Sequence, residues 1–249
     1  MRPRWEQGPA ELVLVRHGES MGNRADAAAR DAGAEVLDLT ARDADVELSD
    51  TGREQAAALG RWVGERDDVG RQTVVVASPY RRAAETAAIA LDGLDLDIEH
   101  DERLRERDLG VFDGLTGLGI RSRYPEEAER RDKLGKFYYQ PPSGESWAAV
   151  AQRVRSLLTD LRHGYDGERV WLFSHQAVIM TFRYVLEGIE ETDLLDLDRR
   201  MRIPNASVTT YRRDGRYLEL DSFADTTAVD RIDVDVTHEE SQGAADDAS

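Results

Sequence analysis

The chain contains no cysteine among its 249 residues. It therefore cannot form disulfide bonds, build a thiolate metal site or use a cysteine nucleophile. Any covalent catalysis by this chain has to use another nucleophilic side chain.

Lysine is nearly absent as well, since only Lys133 and Lys136 occur and arginine supplies the rest of the positive charge. Aspartate and glutamate number 50 against 33 basic residues, which gives a formal net charge of −17. A surface of this sign repels nucleic acids and anionic membranes. A site for an anionic ligand would therefore have to be a local basic pocket within an acidic shell.

Long apolar runs are missing too. No apolar stretch approaches the roughly 20 residues that span a bilayer. Residues 1–9 also lack the apolar segment of a secretion signal. We therefore expect a cytoplasmic protein that binds neither a membrane nor nucleic acid.

Short β-branched runs alternate with amphipathic stretches along the chain. The pattern predicts buried strands at 11–15, 73–77 and 169–173, and a hairpin at 207–211 and 217–223. It predicts helices beginning near residue 49 and at 81–91, 145–161 and 177–186. This alternation is typical of an α/β fold with three α/β/α layers, in which a mostly parallel central sheet is flanked by helices on both faces.

The length and composition indicate a single domain, which we place at 1–236. Within it, the polar and arginine-rich segment 107–143 is predicted to be irregular and to form an insertion at the substrate site. The small, polar and acidic tail, 237–249, is predicted to be disordered.

Three predicted strand ends carry candidate chemistry: Arg16 with His17, the run from Ser78 to Arg82, and His175. In parallel sheets, ligands bind beyond the carboxyl ends of the strands, so these residues should meet. Arginine forks bind phosphate oxygens bidentately, and an imidazole can act as a covalent nucleophile. No residues show zinc or calcium ligand spacing, so we expect neither a metal nor another cofactor.

Four motifs in this order resemble the histidine phosphatase superfamily, also called phosphoglycerate mutase-like. The resemblance covers roughly 11–223 and implies the three-layer fold and the hydrolysis of phosphomonoesters through a phosphohistidine. The motifs are Leu14-Val15-Arg16-His17-Gly18-Glu19-Ser20 with Asn23, Ser78-Pro79-Tyr80-Arg81-Arg82-Ala83 with Thr86, Leu104-Arg105-Glu106 with Gly110, Asp113 and Gly114, and Ser174-His175.

The resemblance also implies a role for each matching residue. His17 is the nucleophile, Glu106 is the proton donor and later the base, and Arg16, Arg82 and His175 clamp the phosphoryl oxygens. Arg81 is expected to be a solvated neighbour of Arg82. Substrate or phosphate contacts are predicted for Asn23, Ser20, Gln176, Arg131 and Lys136.

The substrate is less defined, because the family contains phosphatases, mutases and bisphosphatases. Residues 124–178 are similar to the fructose-2,6-bisphosphatase branch, but Met180 and Gly117 stand where that branch has an arginine and a tyrosine that contact the sugar bisphosphate. We expect a hydrolase of a small phosphorylated metabolite. The alternatives are a phosphoglycerate mutase and a catalytically silent binding module, although the intact set of motif residues argues against silence. Whether the chain forms a homodimer stays open.

Overall fold

The fold is built on one central sheet. A computed structural model describes residues 2–66, 69–70, 72–231 and 235–238. The strands are β1 (Glu11–Arg16), β2 (Thr73–Ala77), β3 (Ile98–His100), β4 (Arg169–Ser174), β5 (Val208–Asp214) and β6 (Tyr217–Asp225). Their order in the sheet is β3-β2-β4-β1-β5-β6. β3, β2, β4 and β1 run parallel, whereas β5 is antiparallel to both β1 and β6. The mostly parallel sheet and the terminal hairpin are therefore confirmed.

The helices connect the strands and cover the sheet. Those found in the described residues are α1 (Met21–Asp31), α2 (Asp50–Gly64), α3 (Arg81–Ala90), α4 (Gly117–Arg123), α5 (Pro125–Leu134), α6 (Trp147–Gly164), α7 (Gln176–Glu187), α8 (Glu191–Arg200) and α9 (Thr227–Asp230). The four predicted helices correspond to α2, α3, α6 and α7. Each has an amphipathic or apolar pattern that packs against the sheet, and that pattern is what made it predictable.

The two faces of the sheet have separate hydrophobic cores because side chains alternate along a strand. Leu12 and Leu14 of β1 pack in one core with residues of α6 and α7. Val13 and Val15 pack in the other core with residues of α2 and α3. The predicted three-layer α/β/α architecture is thus confirmed, and the central strands, buried on both faces, form its rigid middle.

The segment 107–143 is not irregular, and that prediction is wrong. It contains α4 and α5, which begin at Gly117 and Pro125. α5 has no buried residue, so it lacks the apolar stripe from which a helix is usually recognised. One local signal is the proline at its start, a residue that suits the first helical position. The others are glutamates in the first turn and basic residues in the last turn, which suit the helix dipole.

Part of the predicted disordered tail, 239–249, lies outside the described residues. Thr237 belongs to the same predicted tail, yet its backbone carbonyl accepts a hydrogen bond from the Asn205 backbone at 2.9 Å. Its hydroxyl also bonds the Asn205 side chain at 3.1 Å. Among the helices of the described chain, none has the length and apolar character needed to cross a membrane.

Candidate active site

The three polar strand ends lie side by side because β2, β4 and β1 are neighbours in the sheet. The His17 backbone N–H donates to the Ser174 carbonyl at 3.0 Å, and the Ser78 N–H donates to the Phe173 carbonyl at 2.9 Å. The His17 and His175 ring centroids are 5.1 Å apart. We call the group Arg16, His17, Arg82 and His175 the phosphoryl pocket. All four side chains are buried.

Glycine after His17 allows the chain to turn closely against α2. A Cβ at Gly18 would lie 2.5 Å from the Gly52 carbonyl oxygen, and one at Gly52 would lie 1.9 Å from the Glu19 carbonyl oxygen. The Gly18 N–H also donates to the Thr86 hydroxyl of α3 at 3.0 Å. These contacts fix the conformation of the turn that directly follows His17.

The loop before β5 supports the pocket from the other side. The Arg16 guanidinium donates to the Ile203 carbonyl. The Asn205 amide donates to the His17 carbonyl at 3.1 Å and to the Asn23 side-chain oxygen at 3.3 Å. Sequence reasoning missed Asn205, since it lies 188 residues from His17 and no local pattern marks it.

Arg82 is buried while its neighbour Arg81 is exposed, which agrees with the predicted difference between them. Arg82 reaches into the site from the first turn of α3. Its guanidinium forms a forked ion pair with the Asp43 carboxylate at 2.9 and 3.3 Å and donates to the Asp43 carbonyl at 2.7 Å. Arg81 pairs instead with Glu85 at 2.8 Å on the exposed side of the helix.

Burial and the nearby arginines keep both histidines of the pocket neutral. Burial is the main reason that the pKa of His17 lies well below 6.5, and the positive charges of Arg82 and Arg16 lower it further. The pKa of His175 is lowered well below 6.5 by burial and then by Arg82. Neutral imidazoles retain a ring nitrogen lone pair.

Hydrogen bonds distinguish the ring nitrogens of the two histidines. Nδ1 of His17 lies 2.7 Å from the Gly18 carbonyl oxygen. Nε2 of His175 lies 2.9 Å from the Ser78 hydroxyl, which also accepts from the Tyr80 N–H at 3.2 Å. Nδ1 of His175 is buried and has no hydrogen-bond partner among the described residues. Buried polar atoms without a partner are rare, so this nitrogen points to a ligand.

Glu106 lies next to the start of α7, the helix that follows His175. Its carboxylate accepts from the Arg107 N–H at 2.7 Å and from the Ala177 N–H at 3.4 Å. The Ala177 N–H belongs to the first turn of α7, where the helix dipole favours negative charge. The amide oxygen of Gln176, also in that turn, is buried without a hydrogen-bond partner in the part of the chain described.

Ser20 and Asn23 form the N-terminal cap of α1. The Ser20 hydroxyl accepts from the Asn23 N–H at 3.1 Å, and the Asn23 side-chain oxygen accepts from the Ser20 N–H at 3.0 Å. This reciprocal capping box gives both residues a structural role. Through Asn205, Asn23 is also tied to the His17 backbone, so it remains beside the pocket.

A second cation group consists of Arg107, Arg131 and Lys136, and its member Arg107 interacts electrostatically with Glu106. Arg107 and Arg131 both lower the pKa of Lys136, after burial, which is the largest cause. Lys136 is held by the buried Asp198 carboxylate at 3.1 Å. Arg131 and Lys136, both predicted as substrate contacts, thus lie near each other, whereas Arg107 was not predicted.

No group of three or more histidine, aspartate or glutamate residues in the described chain could hold a metal ion.

Comparison with known proteins agrees with this geometry. A family model described as the histidine phosphatase superfamily, branch 1, matches residues 12–226. The chain belongs to the histidine phosphatase superfamily. The predicted membership is thus confirmed, and the match includes every residue of the phosphoryl pocket and Glu106.

Relatives within the histidine phosphatase superfamily differ in activity. A 6-phosphofructo-2-kinase/fructose-2,6-bisphosphatase from Gallus gallus is 33% identical over 171 residues, which cover 69% of this chain but 31% of that protein. The chain thus spans about a third of that relative. A 2,3-bisphosphoglycerate-dependent phosphoglycerate mutase from Methylobacterium radiotolerans is 31% identical over 198 residues, or 78% of this chain and 86% of the mutase.

Among solved structures, a mycobacterial glucosyl-3-phosphoglycerate phosphatase in complex with VO3 is 27% identical, with a TM-score of 0.68. The similarity covers 86% of this chain and 98% of that one. This phosphatase neighbour and the family match support a phosphatase.

Proposed function

We propose that this histidine phosphatase hydrolyses phosphomonoesters of small metabolites through a phosphohistidine on His17, without a metal ion. The contact between His17 Nδ1 and the Gly18 carbonyl is the observation that carries the proposal. A carbonyl oxygen only accepts hydrogen bonds, so Nδ1 carries the proton and Nε2 keeps the lone pair. The nucleophilic atom is therefore Nε2, and burial next to two arginines keeps it unprotonated.

The reaction has two steps. In the first, His17 Nε2 attacks phosphorus in line with the ester oxygen, and the bond from phosphorus to that oxygen breaks. Glu106 holds a proton in the substrate complex because the phosphate dianion opposes a second negative charge beside it, and it gives that proton to the departing oxygen. In the second, water attacks phosphorus and passes a proton to Glu106, and the N–P bond breaks. Inorganic phosphate leaves, and both residues return to their starting states.

Positioned cations and hydrogen-bond donors stabilise the phosphoryl oxygens in both steps. Arg16 and Arg82 supply guanidinium forks, and His175 donates through Nδ1, its buried nitrogen without a partner. The hydroxyl of Ser78 accepts from the Tyr80 N–H, which leaves its own proton available, and in the proposed tautomer this proton is donated to His175 Nε2. This chain of hydrogen bonds leaves a proton on Nδ1 while His175 stays neutral.

We further propose that the substrate carries a second anionic group. Arg107, which interacts with Arg131 and Lys136, also interacts with Glu106, the residue that meets the departing part of the substrate in this mechanism. Arg131 and Lys136 would bind this group together with Arg107, and the Gln176 amide oxygen would accept a hydrogen bond from a substrate hydroxyl. A second anion is a property of many small phosphorylated metabolites.

The test is to incubate the protein with 4-nitrophenyl phosphate in EDTA. We expect release of inorganic phosphate and an acid-labile phosphoprotein that is stable in alkali. Loss of activity in EDTA, restored by a divalent ion, would contradict metal independence. A protein that interconverts 2- and 3-phosphoglycerate only after priming by 2,3-bisphosphoglycerate, and releases little phosphate, would be a mutase. A panel of phosphorylated metabolites then identifies the substrate.

A further inference from the structure

The loop that carries Glu106 is fastened to α6 by Arg153. The Arg153 guanidinium donates to the Arg103 carbonyl at 2.6 Å and to the Glu106 carbonyl at 3.2 Å. Two further N–H groups of Arg153 donate to the Glu145 carboxylate, both at 3.1 Å. One planar guanidinium therefore bridges the backbone of the proton donor and a carboxylate next to α6.

Glu145 holds the same loop at two other points. Its carboxylate accepts from the Arg105 guanidinium at 2.7 Å and from the Asp108 N–H at 3.2 Å. Its own backbone N–H donates to the Asp108 carbonyl at 2.8 Å. The residues on both sides of Glu106 are thus tied to Glu145.

Two glycines bring the loop into direct backbone contact with the segment before α6. A Cβ at Gly110 would lie 2.1 Å from the Pro142 carbonyl oxygen, and the φ of Gly110 is +57°. A Cβ at Gly144 would lie 2.7 Å from the Asp108 carbonyl oxygen. No side chain therefore separates the two backbones at these contacts.

We propose that Arg153 and Glu145 are positioning residues that set where the Glu106 carboxyl meets the departing oxygen. This inference rests on the proposed function. The Arg153 and Glu145 side chains are 9% and 14% exposed. Together they bond the loop backbone at residues 103, 106 and 108 and the side chain of Arg105. An ion pair this buried is weak evidence for stability alone, whereas a shift of about 1 Å in a catalytic group can slow a reaction about 10²-fold.

A pair that only stabilised the fold would not distinguish between substrates by their leaving groups, whereas a pair that positions Glu106 would. An alkoxide needs a proton from Glu106 to depart, whereas 4-nitrophenolate departs without one. Misplacing Glu106 should therefore slow the phosphorylation of His17 by an alkyl phosphate and leave phosphorylation by an aryl phosphate nearly unchanged.

The test measures phosphohistidine formation in single turnovers with glycerol 3-phosphate and with 4-nitrophenyl phosphate. The variants are Arg153→Lys, which keeps the charge but cannot bridge the same groups, and Glu145→Gln. The matched control is Arg155→Lys, an exposed position two residues along α6. We expect both variants to lose about 10- to 100-fold with glycerol 3-phosphate and less than about 3-fold with the aryl substrate.

A double variant tests whether the effect passes through Glu106. In a Glu106→Gln background, Arg153→Lys should cause no further loss with glycerol 3-phosphate, since residues that act through one group are not additive. Equal losses on both substrates in both variants, or a full additional loss in the Glu106→Gln background, would overturn the proposal. If the wild type forms no phosphohistidine with 4-nitrophenyl phosphate, the proposed function fails instead.

Discussion

The phosphoryl pocket and the second cation group are both basic, but they are built in different ways. The pocket lies on the ends of buried strands, and backbone contacts from three parts of the chain hold it. In the second group, Arg131 lies on α5, a helix with no buried residue, and Lys136 follows that helix. A site for a group that every substrate shares can be fixed by the core, whereas a site for the variable part is carried on a segment that can change without disturbing the core.

The largest expected effect comes from the centre of the pocket. His17→Ala should abolish turnover and phosphoprotein formation, because the variant has no nitrogen to attack phosphorus. The matched control is His163→Ala, which removes an exposed histidine on α6 and should leave both unchanged. Phosphate release is measured with 4-nitrophenyl phosphate, and folding by thermal unfolding. Retained phosphoprotein in a folded His17→Ala would show that another residue is the nucleophile.

Arg82 is a buried cation and Arg81 an exposed one at the neighbouring position, so their variants can be compared directly. Arg82→Ala should lower kcat/KM by about 10²–10³-fold, since it removes a donor that stabilises the transition state. Arg81→Ala should cost little, because its guanidinium pairs with Glu85 and Glu47 at the surface. Steady-state kinetics with the aryl substrate give both values. Equal losses would place Arg81 in the site as well.

The same contrast explains what the sequence could predict. β1, β2 and β4 and the helices α2, α3, α6 and α7 were recognisable because burial leaves an apolar pattern, and the pocket followed from the shared edge of the three strands. α5 was missed because its residues are polar on every side. Asn205 and Asp43 were missed because their importance depends on contacts across 188 and 39 residues of sequence, which no local pattern encodes.

The pH dependence of the free energy of unfolding reports on the burial of His17 and His175. The pKa values of His17 and His175 in the folded chain lie well below 6.5, the ordinary value for a histidine that is exposed to water, as in the unfolded chain. The unfolded chain then binds more protons, so stability is full above pH 6.5 and falls as the pH drops below it. Between pH 7 and pH 5.5 each histidine should cost about 1 kcal/mol in the free energy of unfolding.

Urea denaturation of the wild type and of His17→Ala at both pH values checks this expectation. The variant should lose about 1 kcal/mol less than the wild type over the interval, because it has one buried histidine fewer. His163→Ala should behave like the wild type, since it removes an exposed side chain and leaves both buried histidines in place. Identical losses in all three proteins would mean that His17 is protonated, or equally accessible to protons, in the folded chain.

The smallest expected effect lies in the second cation group and depends on the substrate. Arg131→Ala should raise KM for 3-phosphoglycerate, which carries a carboxylate besides its phosphate, by about tenfold, the value of one hydrogen bond to a charged group. Hydrolysis of 4-nitrophenyl phosphate, which has no second anion, should not change. Arg130→Ala is the control, because that side chain is 64% exposed on the same helix.

Lys136 needs a different design, because Lys136→Ala alone would leave the buried Asp198 carboxylate without its cation. Combining Lys136→Ala with Asp198→Asn removes both charges and isolates the effect on binding from the effect on folding. If Arg131→Ala and this double variant affect the aryl and the carboxylate-bearing substrate alike, the second cation group supports the fold rather than selecting the substrate. If they raise KM only for 3-phosphoglycerate, the fixed pocket supplies the chemistry and the segment around α5 supplies the choice of substrate.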